Sequence, residues 1–518
     1  MMKFLILDGY TDEPAGLGVP PYLGTYPRYT AGVLYNYNYD VYYITIDKLR
    51  GSIKSKGFDF NKFDAIISIC GFHTPGKYLN ANPATLREIV SILYDFKGLK
   101  ILGGPVATKF GSSIEGGKIK DDSKLKYFFD VVAEENLELT IKDLIENKFN
   151  LEKINNMDIN AIDDTNNYYK DIKDYAVKGA KIIKQHPNYP YIVNEIETSR
   201  GCSRNISGGC SFCTEPRRFG APTYRSSEDI INEVKALSKE GAKYYRIGRQ
   251  PCIFSYGAKE SEKYYDIPQP NVKAIEKLFK GLSSVNPEVL HIDNANPAVI
   301  AHHPVESRKI AKTLVKYCTG GNVAAFGVES FDKKVIKQNN LLTTPEDVLD
   351  ATKLLNEIGG ARSSTGMPHL LPGINLLFGL KGETKETFEI NYSYLKEIRD
   401  NNLLIRRINI RQVVPFFGTE ITEKDIKKAE KRKALFKSFK EKVRKDIDNN
   451  MLKRMLPIGS ILKNVFIELK EKENLYFGRQ FGSYPLLIGI ENKDLKINSF
   501  VDVKITGYGR RSISGRIV

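Results

Sequence analysis

The sequence predicts an α/β protein in three parts: an N-terminal open parallel sheet, a central partial or full (β/α) barrel, and a small C-terminal all-β barrel. Three observations predict it. Short apolar runs alternate with helix-like segments through residues 1–135 and again through 191–420, and such alternation builds parallel sheets. Three cysteines, Cys202, Cys210 and Cys213, share one loop directly after the expected strand Ile192–Glu197. After Pro457 the apolar pattern changes to period two, as in half-buried strands.

A chain of 518 residues exceeds one ordinary core, so two to four domains are expected. No run of about 18 apolar residues occurs, so no transmembrane helix is expected. The start, M-M-K-F-L-I-L-D-G, does not read as a signal peptide. The expected location is therefore cytoplasmic, with no membrane partner. Six cysteines there suit metal binding or catalysis better than disulfides. The net charge of +16 points to a polyanionic partner such as RNA, DNA or a phosphorylated substrate. Lysine-rich composition alone can give the same excess.

In the N-terminal third, Lys3–Leu7, Val41–Ile46, Ala65–Cys70 and Lys100–Leu102 read as buried strands. Pro83–Phe96 reads as a helix with Leu86, Ile89, Val90, Ile92 and Leu93 on its apolar face. Loops Asp8–Arg28, Gly71–Lys77 and Gly103–Pro105 fall at strand ends, where open α/β sheets bind ligands. Cys70 reads as a small buried residue. Residues 136–190, with their Asn and Asp clusters, read as a connecting segment.

The central part opens with the cysteines. Thiolates hold iron–sulfur clusters, and they also hold zinc. Gly201, Gly208 and Gly209 let the loop turn so that several sulfurs face one point. No fourth cysteine is near. Three thiolates on a four-iron cluster would leave one iron open to a ligand; a zinc site completed by one of the six histidines is the alternative. Ser226 then caps a helix that Gly241 ends. Strands follow at Tyr244–Ile247, Val289–Ile292, Val323–Val328, Ile374–Phe378 and Ile408–Pro415, with helices between them. Such a run curls into a barrel whose active site lies at the strand C-terminal ends. Cys252 and Cys318 read as buried structural thiols.

Residues 421–456 read as a basic helical linker, with thirteen Lys or Arg against six Asp or Glu in 423–454. Strands Ile461–Leu469, Leu475–Arg479, Leu486–Ile490 and Val501–Ile505 complete the chain at 457–518. Small barrels of this kind bind nucleic acid on a basic, aromatic face. Tyr476, Arg479, Tyr484, Lys504, Tyr508, Arg510 and Arg511 are the expected face.

Residues 190–420 resemble the radical S-adenosylmethionine (SAM) enzymes. The cysteine loop is similar to that family's cluster motif, with Phe212 in the aromatic position, although seven residues separate Cys202 from Cys210 where three is usual. Gly248-Arg249-Gln250-Pro251 resembles the G-G-E-P-like segment at the methionine amino group, with Gln250 in place of the acid. Gly327-Val328-Glu329-Ser330 resembles the G-x-E-S near the ribose, and Gly379-x-x-Gly382 the glycine motif beside the adenine. The resemblance implies one 4Fe-4S cluster on Cys202, Cys210 and Cys213. It also implies SAM against Phe212, Gly248, Arg249, Gln250, Pro251, Glu329, Ser330, Gly379 and Gly382, and an electron donor such as a ferredoxin or flavodoxin. The chemistry implied is reductive cleavage of SAM to a 5′-deoxyadenosyl radical that abstracts hydrogen from an unactivated carbon.

Residues 1–135 resemble the Rossmann-like, cobalamin-binding-like domain ahead of many such enzymes, notably in Ile101–Pro105. The D-x-H-x-x-G signature is absent, and His73 lies in H-T-P-G instead, which weighs against cobalamin. The C-terminal barrel resembles the TRAM domain of RNA-modifying enzymes through Tyr476-x-Gly478-Arg479, Val501-x-Val503-Lys504-Ile505 and Ser514–Ile517. Together these imply C–H functionalisation of RNA, tRNA foremost. Methylthiolation is disfavoured, because only Cys70 precedes residue 202. A small-molecule or peptide substrate, with the C-terminal barrel as lid or dimer contact, is the alternative. A zinc-stabilised RNA-binding protein is the non-enzymatic one.

Overall fold

The computed structural model describes residues 2–12, 21–54, 57–72, 82–111, 113–115, 118–120, 122–152, 165–258 and 265–518. The first strands are β1 (Lys3–Asp8), β2 (Tyr22–Leu23), β3 (Asp40–Thr45), β4 (Ala65–Ile69), β5 (Leu99–Gly103), β6 (Ser113–Glu115), β7 (Lys118–Lys120) and β8 (Val131–Val132). Five form a parallel sheet in the order β3-β1-β4-β5-β8. Strand β4 is buried along its whole length, as a strand covered on both faces must be. The order reverses direction between β1 and β4, the usual ligand crevice of such sheets. The expected helix Pro83–Phe96 is shorter, Leu86–Ile92, because the Thr85 hydroxyl accepts from Glu88 N at 3.2 Å and caps it there.

Strand β2 departs from this sheet. It pairs in parallel with β9 (Val193–Glu197), Tyr22 opposite Val193. A short hairpin follows, β10 (Ser199–Arg200) with β11 (Thr223–Tyr224). Then come β12 (Tyr244–Gly248), β13 (Val289–Ile292), β14 (Asn294–Ala295), β15 (Asn322–Glu329), β16 (Leu370–Phe378) and β17 (Arg407–Gln412). They form two parallel four-stranded sheets, β13-β12-β9-β2 and β14-β15-β16-β17. The chain crosses from one to the other through Asp293, whose carbonyl accepts from Ala325 N at 2.9 Å. Among the described residues no ladder joins β2 to β17, so the barrel is partial. The sequence pattern could not show that the N-terminal third lends it a strand.

That loan is fixed by packing and charge. One cluster of buried side chains runs from Phe4 and Ile67 through Ile247 to Phe326 and Ile374, so the N-terminal sheet and the barrel share a core. On the helix Thr25–Asn36, Arg28 pairs with Glu233 and donates to the Glu195 carbonyl. Arg225 holds the other Glu233 oxygen, and all three side chains are fully buried. Removing one member would leave an uncompensated buried charge, a loss of about 3–5 kcal/mol.

The chain ends in a closed barrel, β18-β19-β20-β22-β21, from β18 (Ile461–Lys472), β19 (Leu475–Arg479), β20 (Leu487–Glu491), β21 (Phe500–Tyr508) and β22 (Ser512–Ile517). Closure removes the sheet edges. The loop between β19 and β20 plugs the end of the (β/α) barrel away from the cysteines. Phe481 stacks 4.3 Å from Tyr244 and clusters with Val193 and Val289, the first residues of β12, β9 and β13. The Tyr484 hydroxyl donates to Asp293 Oδ1 at 2.6 Å, Arg246 holds Asp293 Oδ2, and the Arg407 guanidinium lies 4.8 Å over the Tyr484 ring.

This corrects the expected nucleic-acid face. Tyr476 lies in the small barrel's own core. Arg479 is buried against Glu468 at 2.6 Å, and Tyr484 is inside the larger barrel. Tyr508 donates to the Leu456 carbonyl at 2.8 Å, Arg510 pairs with Glu441 at 2.6 Å, and Arg511 lies 3.9 Å from Asp448. Tyr476, Arg479 and Tyr484 are thus taken inside, whereas Arg510 remains 80% exposed on the surface. Among the described residues, no helix is long and apolar enough to cross a membrane.

Candidate active site at the barrel mouth

Cys202, Cys210 and Cys213 line one cavity of about 480 Å³ with Phe212, Arg249, Gln250, Pro251 and Glu329. It opens at the strand C-terminal ends, so eight of the twelve residues singled out from the sequence meet there. The other four stand behind the wall. Gly248 follows Ile247 with its α-carbon against Glu195, where a Cβ would come 2.9 Å from the carboxylate. Ser330 turns inward instead, accepting from Asp332 N at 3.1 Å. Gly379, at φ +92°, donates its N–H to Glu383 Oε2 at 2.7 Å. Gly382, at φ +79°, abuts Gln338, whose Oε1 a Cβ would meet at 2.5 Å.

Four polar residues missed in the sequence hold the cysteine loop in shape. Arg204, inside the widened spacing, donates to Cys210 Sγ at 3.6 Å and to Asn340 Oδ1 at 2.9 Å. Arg217 donates to the carbonyls of Cys210 at 3.0 Å and Cys213 at 2.6 Å. Asn339 accepts from Ser211 at both N (3.0 Å) and Oγ (2.8 Å), and donates to the Lys381 carbonyl at 2.8 Å. Asn340 donates to the carbonyls of Ser207 and Gly209, each at 2.8 Å. Asn339 thus ties the cysteine loop to the turn holding Gly379 and Gly382. The extra residues of the wide spacing form a turn at Ser203–Asn205 that folds Arg204 back on Cys210.

The mouth is rich in arginine. Arg200 donates to Glu197 Oε1 at 2.8 Å, to Asn136 Oδ1 at 2.6 Å and to the Tyr168 hydroxyl at 2.6 Å, so the connecting segment braces the site. Arg249 stands at φ +53°, a conformation that costs a non-glycine residue about 1–3 kcal/mol. Glu197 at 2.8 Å, Thr25 Oγ1 at 3.0 Å and the Tyr26 ring at 4.7 Å hold it there. Burial pushes the Cys210 thiol up to about 11, and Cys202 and Cys213 also upward. Burial likewise raises the Glu329 carboxyl to about 7, against the pull of Arg411.

Among the described residues, no three His, Cys, Asp or Glu converge as ligands of one metal ion. Three thiols spread around one cavity fit the larger cubane, whose irons each take one thiolate. The Gln250 side chain donates through Nε2 to the Ile247 carbonyl at 3.1 Å, while its buried Oε1 has no partner. Gln250 is among the residues lining the cavity, and an orphaned acceptor on it fits the ammonium of a methionyl group. Phe212, Leu341 and Leu342 give the same cavity apolar walls. The residues present therefore fit a cluster and SAM.

The loops that bear on cobalamin lie at the ends of the N-terminal strands, partly outside the described residues. A Cβ at Gly9 would come 2.8 Å from Ile69 O, at Gly71 2.4 Å from Val106 N, and at Gly104 2.6 Å from Cys70 O, so these turns close on their own backbone. His73 lies outside the described residues.

Comparison with known proteins agrees with this geometry. Residues 196–392 match the Radical SAM superfamily. An uncharacterised protein of Methanocaldococcus jannaschii is 68% identical, covering 100% of this chain and 93% of its own. One of Archaeoglobus fulgidus is 39% identical, covering 99% and 89%. A ribosomal protein uS12 methylthiotransferase RimO of a Thermoanaerobacter species is 24% identical, covering 89% and 94%. Among solved structures, the cobalamin-dependent SAM radical enzyme OxsB aligns with a TM-score of 0.51 at 15% identity, covering 85% of this chain. This chain spans only 56% of the OxsB length. The radical SAM methyltransferase TsrM of Kitasatospora setae aligns with a TM-score of 0.51 at 12% identity, covering 83% and 78%. These two likenesses show the fold. An enzyme, not a zinc-stabilised binding protein, is what the cysteine loop serves: the chain belongs to the radical SAM superfamily.

Proposed function

We propose that this enzyme functionalises a C–H bond in RNA, with tRNA the first substrate to test. The observation that carries the chemistry is the meeting, on one cavity, of three cysteines and Gln250, whose Oε1 has no partner. Support for RNA is the +16 net charge.

Cys202, Cys210 and Cys213 would hold the cluster, and a ferredoxin- or flavodoxin-like donor would reduce it. With SAM bound, the cluster would supply one-electron reductive chemistry at the sulfonium. The chain's own work is placement. Gln250 Oε1 accepts a hydrogen bond from the methionyl ammonium. Glu329 offers a carboxyl to the ribose hydroxyls, and its near-neutral titration lets it accept or donate a proton there. Leu341, Leu342 and Phe212 keep water from the reacting carbon. Arg217 and Asn339 hold the cysteine loop rigid, so the thiols do not need to be ordered when a cluster binds.

Methylthiolation with a second cluster finds no support in the remaining cysteines. Cys70 is buried at the end of β4, the Cys252 sulfur accepts from Asn296 N at 3.2 Å, and Cys318 lies beyond the helix Pro304–Tyr317. A protein substrate is the second reading. It is favoured by RimO, named for action on ribosomal protein uS12, and by the internal engagement of the expected RNA face. Deleting the C-terminal barrel would not separate the two, because losing Tyr484 opens the (β/α) barrel around Asp293. Comparing nucleosides of total RNA from cells with and without the gene does separate them. Loss of one modified nucleoside in the deletion supports RNA. Unchanged nucleosides, with a mass loss on a ribosomal protein, would replace RNA by protein.

A further inference from the structure

A second cavity lies between β17, the helix Asn449–Met455 and the small barrel, well removed from the cysteines in the fold. It measures about 50 Å³ and is lined by Arg406, Arg407, Arg511, Asp448 and Tyr484, with Met451, Leu452 and Met455 among its apolar walls. A water needs about 10–15 Å³ on this measure, so the space suits a few waters or one small tetrahedral ion.

The charges around it do not balance. Arg444 pairs with Asp448 and donates to the Ile408 carbonyl at 2.8 Å. Asp448 is therefore already shared when Arg511 approaches it at 3.9 Å. Arg407 spends Nε on Asn409 Oδ1 at 2.7 Å, a neutral partner. Arg406 donates one nitrogen to the Tyr484 carbonyl at 2.5 Å, and its buried Nε has no partner. Four guanidiniums thus face one carboxylate, with Met451, Leu452 and Met455 closing the rest of the wall. Buried charges are ordinarily paired, and low-dielectric walls strengthen both repulsion among the arginines and attraction for an anion. Burial first, then the neighbouring guanidiniums, pull Arg406 down to about 9; burial likewise pulls Arg407 to about 10. Arginine is the side chain whose planar fork matches phosphate oxygens.

We infer that this crevice is a binding site for a phosphate-class oxyanion, held by Arg406, Arg407 and Arg511, with Arg444 and Asp448 behind them. The anion is either free inorganic phosphate or a phosphate group of a nucleic acid. The site stands on the charge imbalance alone and does not depend on which substrate the cysteine cavity serves.

The test uses the full chain and its Arg511→Gln variant, since Arg511 is the most accessible of the group. Unfolding midpoints are read in sodium phosphate and in sodium chloride at equal ionic strength, and phosphate affinity by calorimetry. Phosphate should raise the wild-type midpoint. Arg511→Gln should raise the midpoint in chloride, because repulsion is relieved, and weaken phosphate binding about tenfold. A single-stranded oligoribonucleotide is the second probe. If phosphate displaces it, the source is a nucleic-acid phosphate; if phosphate binds regardless of it, the source is the free anion. Either outcome supports the site. Equal midpoints in phosphate and chloride for the wild type, or equal phosphate affinity in both proteins, would overturn it. SAM cleavage is measured in parallel, and its persistence in such a case leaves the proposed reaction standing.

Discussion

Acid should loosen the plug in the (β/α) barrel, through one histidine. His291 on β13 faces the loop between β19 and β20 and is 2% exposed. Its Nδ1 accepts from Ser483 N at 3.1 Å, and its Nε2 lies 3.1 Å from the Gly320 carbonyl, to which it donates. Both nitrogens are used by the neutral ring, with Nδ1 as acceptor. A proton on Nδ1 would face the Ser483 N–H. Gly482 packs so closely that a Cβ there would stand 2.8 Å from the ring, so the ring has no room to turn. Burial lowers the imidazole from 6.5 to about 4, the Gly320 carbonyl opposing and nearby Arg406 assisting. The detached loop leaves the histidine free to bind a proton near pH 6.5, whereas the docked loop prevents this until about pH 4. The open state therefore holds more protons in between, and docking weakens as pH falls through that window. From pH 7 to pH 5 the loss is about 2 kcal/mol, or roughly 20-fold in the opening equilibrium. The assay is hydrogen exchange of the Ser483 amide, expressed as a protection factor so that intrinsic pH effects cancel. Buried His186, also lowered, sits beside Tyr43 and does not touch this loop. In a His291→Gln variant the pH dependence should vanish. Constant protection between pH 7 and pH 5 in the wild type, or an equal loss in the variant, would refute the reasoning.

Other substitutions probe the site and its supports. Arg204→Gln removes a cationic donor from Cys210 Sγ. It should lower the midpoint potential of the reconstituted cluster by about 40 mV, taking that contact at about 1 kcal/mol. Redox titration followed by electron paramagnetic resonance checks this, and a potential above the wild type would contradict it. Gln250→Leu removes the unpartnered acceptor and should weaken SAM binding about tenfold in calorimetry. Unchanged affinity would detach Gln250 from the methionyl ammonium. Phe481→Ala opens a hole among Tyr244, Phe466 and Tyr191 and should cost about 3–5 kcal/mol. A thermal midpoint like that of the wild type would show that this cluster does not hold the small barrel in place.

Much of the architecture is written locally, and that part was readable. Leu475–Arg479 forms as its period-two pattern indicates, and the Ser226 hydroxyl accepts from Asp229 N at 3.1 Å as a helix start requires. The cysteines and Gln250 met because their loops follow neighbouring parallel strands, which brings strand ends to one mouth. What failed was long range. Nothing near Asn339 indicates that it will meet Ser211, some 128 residues away. Arg479 reads as a surface cation, and alternation does set it on the face opposite core Tyr476; that face, with Phe466 directly across the ladder, packs against Tyr244 and Val193, and Glu468 on the neighbouring strand neutralises the buried guanidinium. Tyr484 shows the same limit: its hydroxyl finds Asp293 through docking of one barrel on another, 191 positions apart. Ser330 was misplaced for a smaller reason. It directly follows Glu329, at φ +63°, where the chain reverses, so Glu329 faces the cavity while Ser330 turns away and accepts from the N–H of Asp332, the cap of the next helix.

The central claim is that Cys202, Cys210 and Cys213 present a cluster with an open iron to SAM. Protein prepared without oxygen and reconstituted with iron and sulfide should, on addition of dithionite and SAM, release 5′-deoxyadenosine and methionine in equal amounts. Cys213→Ser should release neither. A fully reconstituted wild-type protein that binds SAM but yields no 5′-deoxyadenosine would contradict the account.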